Sequence, residues 1–384
     1  MFISVHMTTF CQAQSGWLDR SIRSVLEQSH SELELILYDD GSYDGTAEVL
    51  ERYRLSDPRV RVITGERNVN SVAKSLGRCF LERSPRAEAI TWMFDDNILS
   101  PDAIERLATA MATHSADVVY GQTRIHHEEG KHWDIGASTP EQIAKSFETS
   151  SAQVPNAGIL IRTSVFSRSG WYDANIVLRR SCDWDLFRRI WKTAGTIVRV
   201  EHICAEEFGE LSQSSLRNSF DTTFGLMAKY VALRDEQAIR LDPLAVVYGP
   251  ADVIPHGHWT QEELEYIYRV FVRYFVSIGD VKQGARWAHV VLEGNGREDL
   301  IVRNLKQGLK DQPDVLDAVL AGMFTPRMAN APALVVDSHQ PFVRRVDAFF
   351  KRRVRDAAGL ERRAWRLVQR TVQFAWRLRP RMPR

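Results

Sequence analysis

Cysteine is scarce in this 384-residue chain, and the four present (Cys11, Cys79, Cys182, Cys204) are far apart. Nothing in their spacing suggests a disulfide framework or a zinc site. Long apolar runs are also missing: no window approaches the ~18–20 unbroken apolar residues of a membrane span. The beginning lacks a basic leader, since Met1 passes at once into Phe2, Ile3, Ser4 and Val5, which read as a strand. A signal peptide has no room there, and the expectation is a protein of the reducing cytoplasm. Net charge is almost absent at +1, but it is unevenly spread. Residues 342–384 carry fourteen Lys or Arg against three acidic residues, a net of +11, which leaves about −10 for residues 1–341. With 44% hydrophobic and 26% charged residues the composition is that of a soluble globular protein. The length favours two domains.

The first half alternates short apolar runs with amphipathic stretches. Strands are expected over 2–7, 33–38, 60–63 and 89–94, and helices over 17–28, 46–55 and 72–82. This alternation implies βαβ units and a largely parallel sheet. In such sheets ligands gather at the carboxyl ends of the strands. Beyond about residue 215 the strand signals fade, and helices are expected over 261–278, 281–292, 299–309 and 314–323. The division that follows is a catalytic domain over 1–215, a helical domain over 216–325, a linker over 326–341 and a basic tail over 342–384.

Three acidic sites fall where a parallel sheet puts its functional edge. In the first, an apolar strand runs into Asp39 and Asp40, followed by Gly41, Ser42, Tyr43, Asp44, Gly45 and Thr46. Adjacent carboxylates repel unless a ligand or donor offsets them, and a carboxylate here can accept the ring N–H of a pyrimidine base. Asp44 reads instead as the cap of the next helix. In the second, a strand ending at Phe94 delivers Asp95, Asp96 and Asn97 to a turn. Hard divalent cations seek such carboxylate oxygens while leaving positions open for phosphate and water. Asp102, after Pro101, reads as a first-turn helix residue. In the third, Asp183 and Asp185 open a helix whose apolar contacts are Trp184, Leu186, Phe187 and Ile190. The local dipole keeps a carboxylate ionised there, and such a group can accept a proton from a hydroxyl. Ordinary N-capping by Asp183 is the alternative.

Taken in order, SVHMTTF (4–10), SVLEQ (24–28), DDGSYDGT (39–46), FDDN (94–97), NAGILIR (156–162) and CDWDL (182–186) resemble the inverting glycosyltransferases of family 2. The likeness covers about residues 2–215, and FDDN is similar to the form found in the bacterial spore-coat polysaccharide glycosyltransferase. This resemblance implies an α/β GT-A fold: a Rossmann-like, mostly parallel sheet flanked by helices, followed here by the helical domain and basic amphipathic tail. It implies that Thr8, Phe10, Asp39 and Asp40 line a base pocket, with Lys74 supplying positive charge toward base or phosphate. Asp95 should meet the ribose, and Asp96 should hold Mn²⁺ or Mg²⁺ against the diphosphate. Asp183 should be the base that deprotonates the acceptor hydroxyl, with Trp184 and Asp185 near the acceptor. The donor is then a nucleotide sugar, a UDP-sugar by preference, and the acceptor a cell-surface glycan or a lipid-linked chain. Phe94 stands at the first position of the usual Asp-x-Asp, Lys74 and Ser75 replace Arg-Asn, and Cys11 replaces an Asn. A catalytically degenerate nucleotide- or glycan-binding member of the same fold is therefore the alternative.

The histidines are not assigned as ligands. His126, His127 and His132 read as the surface of a hairpin. In the tail, Val343, Val346, Phe350, Val354, Leu360, Trp365, Val368, Val372 and Trp376 recur at helical spacing among arginines. A basic amphipathic helix of this kind suits an anionic membrane surface, which would place the protein at the inner face of the cell membrane. Packing of the helix on the protein's own acidic domain is the other reading. Nucleic acid is not expected, because no binding module accompanies the charge.

Overall fold

The computed structural model describes residues 1–126, 130–149, 153–208, 222–237, 241–278 and a few positions between 280 and 290. The chain divides into two compact units, Met1–Gly257 and His258–Arg384.

The first unit opens as the sequence pattern demands. β1 (Ile3–Thr9), α1 (Trp17–Leu26), β2 (Leu33–Asp39), α2 (Thr46–Ser56), β3 (Val60–Thr64), α3 (Val72–Glu82) and β4 (Ala89–Phe94) alternate strand and helix. β1 and β2 are buried along almost their whole length, which is why they read as unbroken apolar runs rather than as an alternation. One face of the sheet packs Leu18, Ile22 and Val25 of α1 against Val5, Met7 and Leu35. Another part of the core is aromatic. Trp92 stacks on Phe187 at 5.9 Å and meets Trp171 and Tyr172 edge-on.

The remaining elements are β5 (Asn97–Leu99), α4 (Ala103–Thr113), β6 (Val118–His126), β7 (His132–Ile135), α5 (Pro140–Ser146), β8 (Ile159–Arg162), α6 (Phe166–Ser169), α7 (Cys182–Thr193), β9 (Ile197–Glu207), α8 (Phe224–Glu236) and α9 (Pro243–Tyr248). The sheet order is β3-β2-β1-β4-β8-β6-β9-β5, with β7 paired to β6. β3, β2, β1 and β4 are parallel neighbours. β8 joins β4 antiparallel, β6 joins β8 antiparallel, and β9 runs parallel to β6 and antiparallel to β5. The first half is thus the expected parallel sheet and the second half is mixed.

Topology fixes where a ligand can sit. From β1 the chain builds outward through β2 to β3, and then α3 carries it back to β4 on the other side of β1. The strand order reverses between β1 and β4, and a crevice opens beyond the carboxyl ends of strands at such a point.

α8 and α9 belong to the first unit. The second unit contributes α10 (Gln261–Ser277). Its start is capped reciprocally: Thr260 N–H donates to Glu263 and Glu263 N–H donates to the Thr260 hydroxyl. Ile267, Val270 and Phe271 are buried, and Trp287 stacks on Tyr268 at 5.0 Å. The expected helices over 299–309 and 314–323, the linker over 326–341 and the tail over 342–384 lie outside the described residues, as does half of the helix over 281–292. Among the described residues no helix is long and apolar enough to cross a membrane.

Candidate active site

Strand register assembles the site. β1 aligns Thr8 with Tyr38 and Thr9 with Asp39 on one side, and Thr8 with Phe94 on the other. The residues that leave these strands, Phe10, Asp40 and Asp95, therefore emerge at one rim.

The turns after β1 and β2 are zipped together. Three successive backbone N–H groups, of Cys11, Gln12 and Ala13, donate to the side chains of Ser42, Thr46 and Asp44 at 2.8, 2.8 and 3.1 Å. Asp44 also accepts from the N–H and hydroxyl of Thr46 at the start of α2, although the N-cap position itself is Gly45 rather than the expected Asp44. Gly41 has φ +74°, and a Cβ there would lie 2.6 Å from the backbone of Arg67. Only glycine lets the turn pass so close.

That close approach brings the 67–70 backbone to Asp40. Val69 N–H donates to Asp40 at 3.0 Å and Asn70 N–H at 3.3 Å. Burial nevertheless dominates and pushes the Asp40 carboxyl up to about 7, with Asp39 adding to the rise. Asp39 is fully buried and accepts from Ser42 N–H at 2.9 Å through Oδ1. Its Oδ2 has no hydrogen-bond partner. Unsatisfied buried polar atoms are few in native structures, and each asks for an explanation. Phe10 meets Tyr43 edge-on at 5.9 Å, which sets two aromatic rings at the mouth of this corner.

Past β4, burial pushes the Asp95 carboxyl up to about 7, with the charge of Asp96 acting in the same direction. Burial raises Asp96 as well. The turn is held by Asn97, whose side chain accepts from Phe94 N–H at 3.0 Å and donates to Asp96 at 3.1 Å. The sequence reading missed a third carboxylate, Glu207. β5 and β9 align it with Asn97, and Phe208 N–H donates to the Asp96 carbonyl at 3.0 Å. Its carboxyl is pushed up to about 7 by burial and by Asp96. Residues 96 and 207 have no local relation, so no sequence signal could have joined them. Carboxylates that burial and mutual repulsion hold toward the protonated form suit a divalent cation, which would relieve both effects. Among the described residues no group of three or more His, Cys, Asp or Glu has the geometry of a complete metal site.

Asp183 reaches the same rim from another direction. β8 runs antiparallel to β4, pairing Ala89 with Arg162 and Ile90 with Ile161. The residues that lead into β8 therefore lie toward the carboxyl end of β4. One of them, Asn156, donates to Asp183 at 3.3 Å, and its own Oδ1 is buried without a partner. Asp183 sits in the first turn of α7 and accepts from Trp184 N–H at 2.8 Å.

Other expected site residues are placed elsewhere. Asp185 is fully buried and held by Arg234, Arg189 and Arg188 at 2.7, 3.0 and 3.1 Å. Trp184 is 5% exposed and donates to the Phe147 carbonyl at 3.1 Å. Both side chains are buried on α7 among these partners. Lys74 donates to the Gly249 carbonyl at 2.8 Å, which ties α3 to the chain after α9, and burial lowers its pKa. His126 pairs with Glu206 and aligns with His132 across the β6–β7 hairpin, and His202 is engaged by Ser100 and Asp102.

A mixed sheet with a parallel nucleotide-binding-type half and an acidic rim at its switch point is the GT-A class of architecture. Residues 4–174 match the family model described as glycosyl transferase family 2. Among curated proteins it is 32% identical over 106 residues to the glycosyltransferase GlyG of Streptococcus pneumoniae, covering 27% of this chain and 34% of that one. It is 27% identical over 128 residues to the putative teichuronic acid biosynthesis glycosyltransferase TuaG of Bacillus subtilis, covering 33% and 49%. The chain thus spans between a third and a half of the length of these relatives. Among solved structures, Staphylococcus aureus TarS 1–349 in complex with UDP-GlcNAc aligns with a TM-score of 0.49 at 12% identity, covering 84% of this chain and 90% of that one.

Proposed function

We propose that the protein is an inverting glycosyltransferase that moves a sugar from a nucleotide sugar, a UDP-sugar by preference, to a hydroxyl of a cell-surface glycan or lipid-linked acceptor. The observation that carries this reading is the shared rim: Thr8, Phe10, Asp39 and Asp40, then Asp95 and Asp96, then Asp183 through Asn156. Thr8, Phe10 and Asp40 receive the base, with Asp40 accepting its ring N–H, and the unpartnered Oδ2 of Asp39 offers a further polar contact to the nucleoside. Asp95 meets the ribose. Asp96 holds Mn²⁺ or Mg²⁺, which when bound neutralises charge on the departing diphosphate.

Asp183 accepts the proton of the acceptor hydroxyl as that oxygen attacks the anomeric carbon opposite the leaving nucleotide. Its place in the first turn of α7 favours the ionised carboxylate that a base must be. Asn156 and the Trp184 N–H hold the carboxyl group in orientation. Lys74 is tied to Gly249 in this structure and supplies positive charge near the base side of the crevice rather than a direct phosphate contact. The basic segment 342–384 attaches the enzyme to the anionic inner face of the membrane, where a lipid-linked acceptor would be found.

The test is a panel of UDP-, dTDP- and GDP-sugars with Mn²⁺, read first as thermal stabilisation and then as nucleotide release. Asp183→Asn should keep the stabilisation and lose about 10²–10⁴-fold in transfer. Full transfer by that variant would remove Asp183 as the base. Stabilisation by nucleotide sugars without any turnover in the wild type would favour the degenerate, binding-only reading.

A further inference from the structure

The acceptor base lies at the end of an irregular segment, residues 170–181, and one guanidinium brackets that segment at both ends. Arg234, on α8, is 0% exposed. Its Nη1 donates to Asp173 at 2.9 Å and to Asp185 at 2.7 Å, and its Nη2 donates to the other oxygen of Asp185 at 2.9 Å. Asp173 stands near the beginning of the irregular segment, and Asp185 stands two residues past Asp183 on α7.

The rest of α8 grips the same two places. Tyr230 donates its hydroxyl to Asp173 at 2.8 Å. Thr222, just ahead of the helix, donates to the Val177 carbonyl at 2.7 Å. Phe224 meets Trp184 edge-on at 5.5 Å. Met227, Tyr230 and Val231 are buried with Arg234. On α7 the adjacent Arg189 carries the tie back to the carbonyls of Ser169 and Trp171. Within the bracket Arg179 has φ +27°, a backbone conformation that an L side chain rarely adopts unless its surroundings impose it.

We propose that Arg234 is a positioning residue for Asp183: α8 clamps the 170–181 segment and the first turn of α7 together, and thereby sets the direction of the base carboxylate. The proposal rests on the reading of Asp183 as the base. Arg234, like Asp183 itself, lies past the family-matched stretch, which ends at residue 174. The geometry favours this over a purely stabilising ion pair. A surface-to-surface tie between helices would need one partner carboxylate, whereas Arg234 takes two beyond its neighbour Asp235: Asp173 inside the irregular segment and Asp185 past the base that ends it. A bidentate guanidinium can span both, and an ammonium cannot reproduce that fork.

The experiment uses the full chain in wild-type form and as Arg234→Met, Arg234→Lys and Tyr230→Phe. The last variant removes a single hydroxyl, so it stays informative should Arg234→Met fold poorly. Hydrogen exchange over 174–184 reads the clamp, thermal stabilisation by UDP with Mn²⁺ reads the donor side, and kcat and KM with the sugar nucleotide that turns over in the panel read catalysis. Exchange over 174–184 should quicken in Arg234→Met and less so in Tyr230→Phe, with UDP stabilisation unchanged. For Arg234→Met, kcat should fall about 100-fold, the scale of an ångström-sized misplacement of a reacting group, while donor KM stays within about twofold. Arg234→Lys should recover part of kcat. Unchanged exchange in both Arg234→Met and Tyr230→Phe would overturn the clamp. Quickened exchange with unchanged kcat would overturn its role in positioning. A wild-type chain that binds UDP but transfers no sugar would instead count against the transferase reading, while the exchange result would still decide the clamp.

Discussion

Replacing Asp40 by Asn isolates the cost of keeping a buried carboxylate ready for a ligand. In the folded protein Asp40 is 7% exposed, and its carboxyl is pushed up to about 7 by burial, against an ordinary value of 3.8. Because the folded value lies above the unfolded one, the stabilising contribution is complete below about pH 4 and is lost as pH climbs toward about 7. Above that it is flat. Integrating the linkage gives a cost of about 1.5–2 kcal/mol at pH 5 and about 4 kcal/mol at pH 8, a difference of roughly 2–3 kcal/mol. Asn cannot ionise, so its curve lacks this part of the slope. It also loses acceptor capacity toward the N–H groups of Val69 and Asn70, a nearly pH-independent penalty of about 1 kcal/mol. Urea unfolding followed by tryptophan fluorescence at pH 5, 6, 7 and 8 should therefore show Asp40→Asn gaining on the wild type by about 2–3 kcal/mol across the range. Asp95 and Glu207, also pushed up to about 7, keep a slope of the same sign in both proteins. The same substitution should weaken UDP binding by about 10- to 100-fold, the worth of a hydrogen bond to a charged acceptor. Parallel pH curves for the two proteins would refute the reasoning, since Asp40 would then titrate alike in the folded and unfolded chains.

Three further outcomes are expected. Gly41→Ala should lower the unfolding midpoint by about 5 °C or more, because the new Cβ meets the Arg67 backbone at a left-handed φ; an unchanged melting curve would contradict the close approach. Stabilisation by Mn²⁺ with UDP should grow between pH 6 and pH 8 as the raised carboxylates of Asp95 and Glu207 ionise, and should be largely lost in Asp96→Asn. A pH-independent metal effect would place the cation elsewhere. Deleting 342–384 should move the protein from anionic vesicles to the supernatant in sedimentation, each Lys or Arg near the surface contributing about 1 kcal/mol; unchanged co-sedimentation would remove the tail from membrane attachment.

Much of the fold was legible because its signals are local. The strands over 33–38 and 89–94 and the helix over 72–82 show in apolar period alone, and the structure places β2, β4 and α3 there. Asp39, Asp40, Asp95 and Asp96 were found because each pair ends an apolar run, and a parallel sheet sends such ends to one rim. The antiparallel half was less visible: β8 has four residues and β5 three, too short to show a period. The partner of Asp185 was invisible, since Arg234 lies 49 residues away on a helix whose only mark is an ordinary mixture of Leu, Ala and charged residues. The surroundings of Asp185 were hidden for the same reason. Spacing places it two residues from the base, but only packing reveals that its carboxylate is spent on three arginines.

By itself, the sequence determined which segments become strands and helices and which carboxylates end them, because hydrophobic period and turn chemistry act over a few residues. The tertiary structure alone decided which of those carboxylates meet. It set Glu207 against Asp96 and brought Asn156 to Asp183, and it closed Arg234 over Asp173 and Asp185. Such meetings depend on strand register and on the burial of whole faces, energies summed over many residues and written at no single position.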